Sequence, residues 1–366
     1  MHDWKTVPRN GQTRQENLLT QPLRNFRAFN NPKLVTEGWY PLCSVKEVRR
    51  LTAKSFTILN QRVVVYRGES GKLNAMDAFC PHMGADLSNG KVIGEEIECY
   101  FHQWRFCGSG KLTKIQCQEK LPNGVQLRSY PVEEKYGTIW IFAGDKAPYP
   151  VPNPPGLDGK ETVGIRIARR TLFVHHHIIM VGGIDMQHFG TVHQLDINFN
   201  FDISEKHEGV FDWKVGGEFP KLGWRAKLGR LLLGNSLDYQ ARFAGGSVVT
   251  LSYGTNSEKK QSGFKFPQVH IFWGNVPLLN GVSQSDIHIV MEKRAGIWGR
   301  IVNAALFAFT IALLFLLRDD DIKAFPYMRF DPKTIIPADQ SAFRLISLLD
   351  KLKLSPWTPL DDDSKT

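Results

Sequence analysis

The chain has 366 residues, 42% hydrophobic and 22% charged, with a formal net charge of +10. This reads as a globular, soluble protein of two ordinary domains, without repeats or long low-complexity segments. Its five cysteines, Cys43, Cys80, Cys99, Cys107 and Cys117, show no evident pairing, which argues against a disulfide scaffold and for a reducing cytoplasm. The first residues form no apolar secretory signal. The basic residues are scattered and match no nucleic-acid motif, so the charge reads as a solvated surface or a docking face for an acidic partner.

Residues 1–35 are polar, with Pro8, Pro22 and Pro32, and predict an arm with little core of its own. Residues 36–148 hold short β-like runs at 56–59, 62–66, 73–79 and 137–143, bounded by Gly, Asn and charged turns. They predict a small antiparallel β domain that carries its chemistry on loops. Five prolines fall within 147–156, so 149–159 reads as a stiff linker. In residues 160–366, alternating stretches at 164–174, 247–253, 268–273 and 287–293 predict an antiparallel sheet, with helices near 182–193, 297–318 and 341–353. The fold class is α+β.

Within the first domain lie two mixed ligand pairs, Cys80-Pro-His82 and Cys99-Tyr-Phe-His102. Zinc sites usually pair like with like, Cys with Cys and His with His. Here each loop offers one thiol and one imidazole, the ligand set of a Rieske [2Fe–2S] centre. Structural zinc is the competing reading. Met83-Gly84 and Gln103-Trp104-Arg105 form loop tips whose N–H groups can reach cluster sulfurs.

The second domain offers Asp185, His188 and His193. Two histidines five apart lie about 140° apart on an ideal helix. To share a metal, the helix must end or distort between them, and Gly190, Thr191 and Val192 favour that. Two histidines and a carboxylate suit a mononuclear Fe(II) that activates oxygen. H-x4-H alone is a weak signal against ordinary packed histidines. The nearby His175-His176-His177, read as strand, is expected to be structural. The apolar run at 301–317 would span only about 26 Å as a helix. It is expected to be a buried helix, with membrane contact, helped by the basic-apolar run at 221–233, as the second reading.

The stretches CPHMGADL and CYFHQWRF, followed by D-x2-H-x4-H at 185–193, resemble the catalytic alpha subunit of Rieske non-haem iron oxygenases over about 38–354. The resemblance implies an N-terminal antiparallel β Rieske domain and a C-terminal helix-grip-like catalytic domain. It implies His188 and His193 as iron ligands, and Asp185 as an acidic bridge to a cluster histidine across the boundary of a head-to-tail homotrimer. Gly182-Gly183-Ile184 stands where the family often places Asn or Glu. The third ligand is implied among Asp319, Asp320 and Asp321, with Asp321 the best match because Ile322 and Phe325 follow it. Respiratory-type centres carry a disulfide where this chain has Ala85 and Phe101, so the cluster resembles the lower-potential oxygenase type.

The cofactors implied are the [2Fe–2S] cluster, mononuclear Fe(II), O2, and NAD(P)H acting through a flavin reductase or ferredoxin. The segment DIKAFPYMRFD resembles aminopyrrolnitrin oxygenase, an arylamine N-oxygenase. The Cys80 loop resembles 3-ketosteroid 9α-hydroxylase and the cholesterol 7-desaturases. The expectation is a Rieske oxygenase that hydroxylates a bulky apolar or aromatic substrate or N-oxygenates an aryl amine. Two rivals are a Rieske ferredoxin-like electron carrier and a membrane-associated scaffold.

Overall fold

The first domain contains strands β1 (Trp39–Ser44), β2 (Thr52–Ile58), β3 (Gln61–Arg67), β4 (Leu73–Asp77), β5 (Lys91–Ile93), β6 (Glu96–Glu98), β7 (Arg105–Phe106), β8 (Leu112–Lys114), β9 (Ser129–Tyr130), β10 (Val132–Lys135) and β11 (Thr138–Phe142). They form antiparallel sheets ordered β1-β11-β10, β2-β3-β4-β9 and β5-β6-β7-β8. The computed structural model describes residues 26–58, 61–254, 268–278, 282–325, 328, 330, 334 and 336–358, without the side chains of 232, 233, 313 and 315–323.

Strand β3 shows how the sequence builds this domain. Val63, Val64, Val65 and Tyr66 are all buried, and successive strand residues face opposite ways. Val63 and Val65 therefore enter one core with Tyr40 and Ile141. Val64 and Tyr66 enter another with Met76, Ile97, Cys80 and Cys99. The second core anchors both ligand loops.

The second domain is one antiparallel sheet of β12 (Thr162–Leu172), β13 (Asn200–His207), β14 (Val210–Glu218), β15 (Ser236–Ala244), β16 (Val248–Tyr253), β17 (Val269–Pro277) and β18 (Ser283–Glu292). Its order is β12-β18-β17-β16-β15-β14-β13. Helices α1 (His176–Gly182), α2 (Met186–Thr191) and α5 (Gln340–Asp350) share a core with it, through Ile178, Phe189, Trp213, Tyr239, Phe243 and Leu345. Helices α3 (Trp224–Leu233) and α4 (Gly296–Ala324) complete the described α-helices. The α+β expectation holds.

The domains are bound together tightly. Trp140 of β11 meets Phe272 of β17 edge-on at 5.3 Å, and Gly274 lies so close beneath Trp140 that a Cβ there would strike the ring. Thr138 Oγ1 and His288 Nε2 are 2.9 Å apart. Asp286, fully buried, accepts from Arg166 and Arg169, and Arg169 also reaches Leu42 O. The proline-rich stretch is packed against the first domain: Val151 is buried and its N–H donates to Glu133. The described end of the arm inserts Phe29 into the core of the second domain, and Asp350 Oδ1 accepts from the N–H groups of Ala28 and Phe29.

Two local expectations are corrected. Residues 175–177 open α1 rather than lie in a strand, because His175 caps the helix by accepting from His177 N. The apolar helix forms as part of α4, but most of its described side chains between 301 and 312 are exposed rather than buried. Asn303 Nδ2 donates to Glu292 O at the end of β18, and Asn303 Oδ1 accepts from Arg294. Gly299, Asn303 and Thr310 face inward, and Trp298 is 77% and Ile301 52% exposed.

Candidate metal centres

The two Cys/His loops have the same construction. Cys80 N donates to Ala85 O at 2.9 Å, and Gly84 N donates to Cys80 O at 2.8 Å. Cys99 N donates to Trp104 O at 2.8 Å, and Gln103 N donates to Cys99 O at 3.0 Å. The fourth residue after each cysteine is left-handed, Gly84 at φ 75° and Gln103 at φ 58°. Such a tight turn drives the cysteine into the core and lifts the histidine to the tip. Cys80 and Cys99 are buried, whereas His82 and His102 are exposed with their Nδ1 atoms 3.1 Å apart. The His82 ring stacks on Trp104 at 4.5 Å and 7°.

Burial pushes the Cys80 thiol up to about 11, against the pull of the His82 and Met83 N–H groups. A metal bound by Cys80 must therefore displace the proton from its thiol. The donor set, two sulfurs below and two imidazoles above, fits a [2Fe–2S] cluster with its histidine-held iron at the surface. Phe79, Met83, Tyr100 and Phe101, all at least half exposed, surround that tip.

Sequence reasoning passed over Asp86, which braces the first loop. Burial raises its carboxyl, but bonds from Ser55, Ser88 and Arg62 outweigh that and hold it near 2. Its position after the Cys80 loop, where it caps the turn Leu87–Asn89, was the available signal.

In the second domain, the chain breaks between α1 and α2. The carbonyls at the break are satisfied: Tyr239 Oη donates to Gly183 O and Ser341 Oγ to Ile184 O. Asp185 restarts the helix as its N-cap, with Oδ1 accepting from Gln187 N at 3.0 Å. Helix α2 then ends at Thr191, between the two histidines. Val192 N and His193 N both turn back to His188 O, and Gln194 is left-handed at φ 57°. This termination brings the His188 and His193 rings to 5.0 Å between centroids.

His188 Nδ1 lies 2.5 Å from Asp185 O. A carbonyl only accepts, so Nδ1 donates and Nε2 is the acceptor atom, the tautomer a metal ligand needs. Arg225 of α3 donates to His193 O at 3.1 Å. The donor chemistry fits a mononuclear iron, although the side chains of Asp319, Asp320 and Asp321 lie outside the described residues. Their helix α4 ends at Ala324. Ala324 and Phe325 line a cavity of about 210 Å³ together with Asp185, His188, Val181 and Ile346. Asp339, which accepts from Gln187 Nε2, lines it too, and no sequence signal had marked it.

His175, His176 and His177 offer ligand atoms within 4.8 Å of one another, all buried. Hydrogen bonding argues against a metal there. Nδ1 of His177 accepts from Asn30 N, and Nδ1 of His175 accepts from His177 N. Each of those rings carries its proton on Nε2, the atom a metal would need. Burial holds His175 near 4 and His176 and His177 well below their ordinary range. They pack as neutral rings.

Comparison with known proteins adds an independent line. The Rieske [2Fe-2S] domain family matches residues 38–131. The cholesterol 7-desaturase of Xenopus laevis is 30% identical over 221 residues, 57% of this chain and 48% of that protein. The oxygenase component of 3-ketosteroid-9-alpha-monooxygenase from Rhodococcus rhodochrous is 25% identical over 266 residues, 67% of each chain. The cholesterol 7-desaturase of Bombyx mori is 35% identical, but the matched region spans only 36% of its length. In fold, the oxygenase of carbazole 1,9a-dioxygenase, solved in complex with ferredoxin, matches with a TM-score of 0.63, 16% identity and 88% of this chain against 91% of that one. Dicamba monooxygenase matches with a TM-score of 0.59, 16% identity and 88% of this chain against 97% of that one.

Proposed function

We propose that this chain, which carries a Rieske [2Fe–2S] domain and is homologous to Rieske oxygenase alpha subunits, is the oxygenase component of an O2-dependent oxidation system. Cys80, His82, Cys99 and His102 would hold the cluster, and His188, His193 and Asp321 the mononuclear iron. When bound, the cluster relays single electrons and the iron activates O2.

The observation that carries this reading is the termination of α2, which gathers two histidines beside an apolar cavity in a chain that also has a Rieske loop pair. An electron carrier needs only the loop pair. Asp185 holds His188 through its carbonyl and caps α2 through its carboxylate. By the family resemblance, that carboxylate faces a cluster histidine of the neighbouring subunit in a homotrimer. The exposed His82 and His102, ringed by Phe79, Tyr100 and Phe101, suit both that neighbour and a ferredoxin or reductase.

Val181, Phe325, Phe343 and Ile346 make the cavity wall apolar. Together with the steroid names of the relatives, this favours a bulky apolar substrate, hydroxylated or N-oxygenated. The test is O2 uptake with a ferredoxin and reductase and a screen of steroids and aryl amines. Substrate-dependent uptake is expected for the wild type. It should be lost in His188→Ala, while the visible spectrum of the cluster persists. Unchanged uptake in His188→Ala would refute the assignment.

A further inference from the structure

Helices α3 and α4 are built inside out. On α4, small and polar residues (Gly299, Asn303, Thr310) face the protein, while Ile297, Trp298, Ile301 and Val302 are between 43% and 77% exposed. Around α3, Leu222 is 86%, Trp224 66%, Leu228 38% and Leu231 81% exposed. Soluble proteins rarely leave so many large apolar side chains uncovered on two helices.

Along α3 and the first two-thirds of α4 the charges have one sign; the acidic residues of α4, Asp319 to Asp321, lie at its far end beside the cavity. Lys221, Arg225, Lys227 and Arg230 accompany α3, and Lys293, Arg294 and Arg300 accompany the start of α4. No acidic residue lies within 219–234 or 293–314. Basic residues beside exposed Trp and Leu are the composition of a surface that rests in the headgroup layer of an anionic bilayer. Among the described residues, no helix is long and apolar enough to cross a membrane, so contact would be with one leaflet.

Both elements also abut the candidate iron site. Arg225 of α3 donates to His193 O, and the end of α4 supplies Ala324 and Phe325 to the cavity that Asp185 and His188 line.

We propose that α3 and α4 seat this protein on an anionic lipid surface, so that an apolar substrate passes from the leaflet to the cavity beside His188. The substrate clause rests on the oxygenase reading; the lipid contact does not. The test is flotation of the full chain with vesicles of phosphatidylcholine, alone or with added phosphatidylserine. Wild-type protein should float with the phosphatidylserine vesicles and much less with phosphatidylcholine alone. Lys227→Gln should weaken binding about fivefold, the loss expected for one basic residue at such a surface. Trp224→Glu and Trp298→Glu should each strongly reduce flotation, with the cluster spectrum retained as proof of folding. Wild-type protein that stays unbound at both compositions overturns the proposal, as does full flotation by both Trp variants. Sedimentation velocity identifies the rival occupant: an oligomer dissolved by Trp298→Glu, without vesicle binding, assigns the face to a second copy and also overturns it. No turnover is needed, so failure here is distinct from failure of the oxygenase reading.

Discussion

Asp185 has two separable jobs, and substitution can divide them. As N-cap it accepts from Gln187 N, a role Asn fills nearly as well, whereas Ala costs about 1 kcal/mol. Asp185→Asn should therefore melt like the wild type, and Asp185→Ala should be about 1 kcal/mol less stable in urea titration. Both should lose turnover, because a neutral amide cannot replace the carboxylate as an anionic bridge. Single-turnover product formed at the wild-type rate by Asp185→Asn would contradict the bridging role. The sequence could place Asp185 one turn before His188. It could not show that the backbone carbonyl, not the carboxylate, holds the His188 ring within its own chain, since that depends on the break at Gly183 and Ile184.

At the scale of elements, the paired loops make an asymmetric prediction. Gly84 and Gln103 occupy equivalent left-handed positions, where a non-glycine residue costs roughly 1–2 kcal/mol. Gly84→Ala should lower stability by about 1 kcal/mol, whereas Gln103→Gly should raise it by a similar amount, with the cluster spectrum unchanged. Equal effects of the same sign in chemical denaturation would show that the loops are not equivalent. These loops were legible in the sequence because each holds its ligands within a few residues. The region between 200 and 244, which folds as β13, β14, α3 and β15, was not specified as strands or helix there. The exposure of helix α4 was not legible either. Apolar content predicts a buried helix, but the face turned inward is the one that carries Asn303, which donates to Glu292 O and accepts from Arg294.

For the whole molecule, buried histidines set the response to acid. Burial lowers His175, His270 and His288 to about 4 from an ordinary value of 6.5, with His176 and His177 also well below it. Between those values the unfolded chain binds more protons than the folded one, so stability rises with pH. The stability is fully present above about 6.5 and is lost as pH falls toward 4, by about 1.4 kcal/mol per pH unit for each such group. Urea midpoints at pH 7 and pH 5 should differ strongly in the wild type. The difference should be smaller in His270→Gln, and a flat wild-type profile would contradict this.

The cavity lies at the same scale, and the sequence did not reveal it. Its walls come from residues near 180, 325 and 345, which only the packing of α1, α5 and the end of α4 brings together. For the same reason the choice among Asp319, Asp320 and Asp321 depends on the phase of a helix end. The central claim is that one chain carries two iron centres. Its most direct test is the iron content of anaerobically reconstituted protein, measured alongside His188→Ala. About three irons per wild-type chain are expected, falling to about two in the variant with the cluster spectrum intact. A wild-type chain that saturates at about two irons, unchanged in His188→Ala, would contradict it and leave an electron carrier.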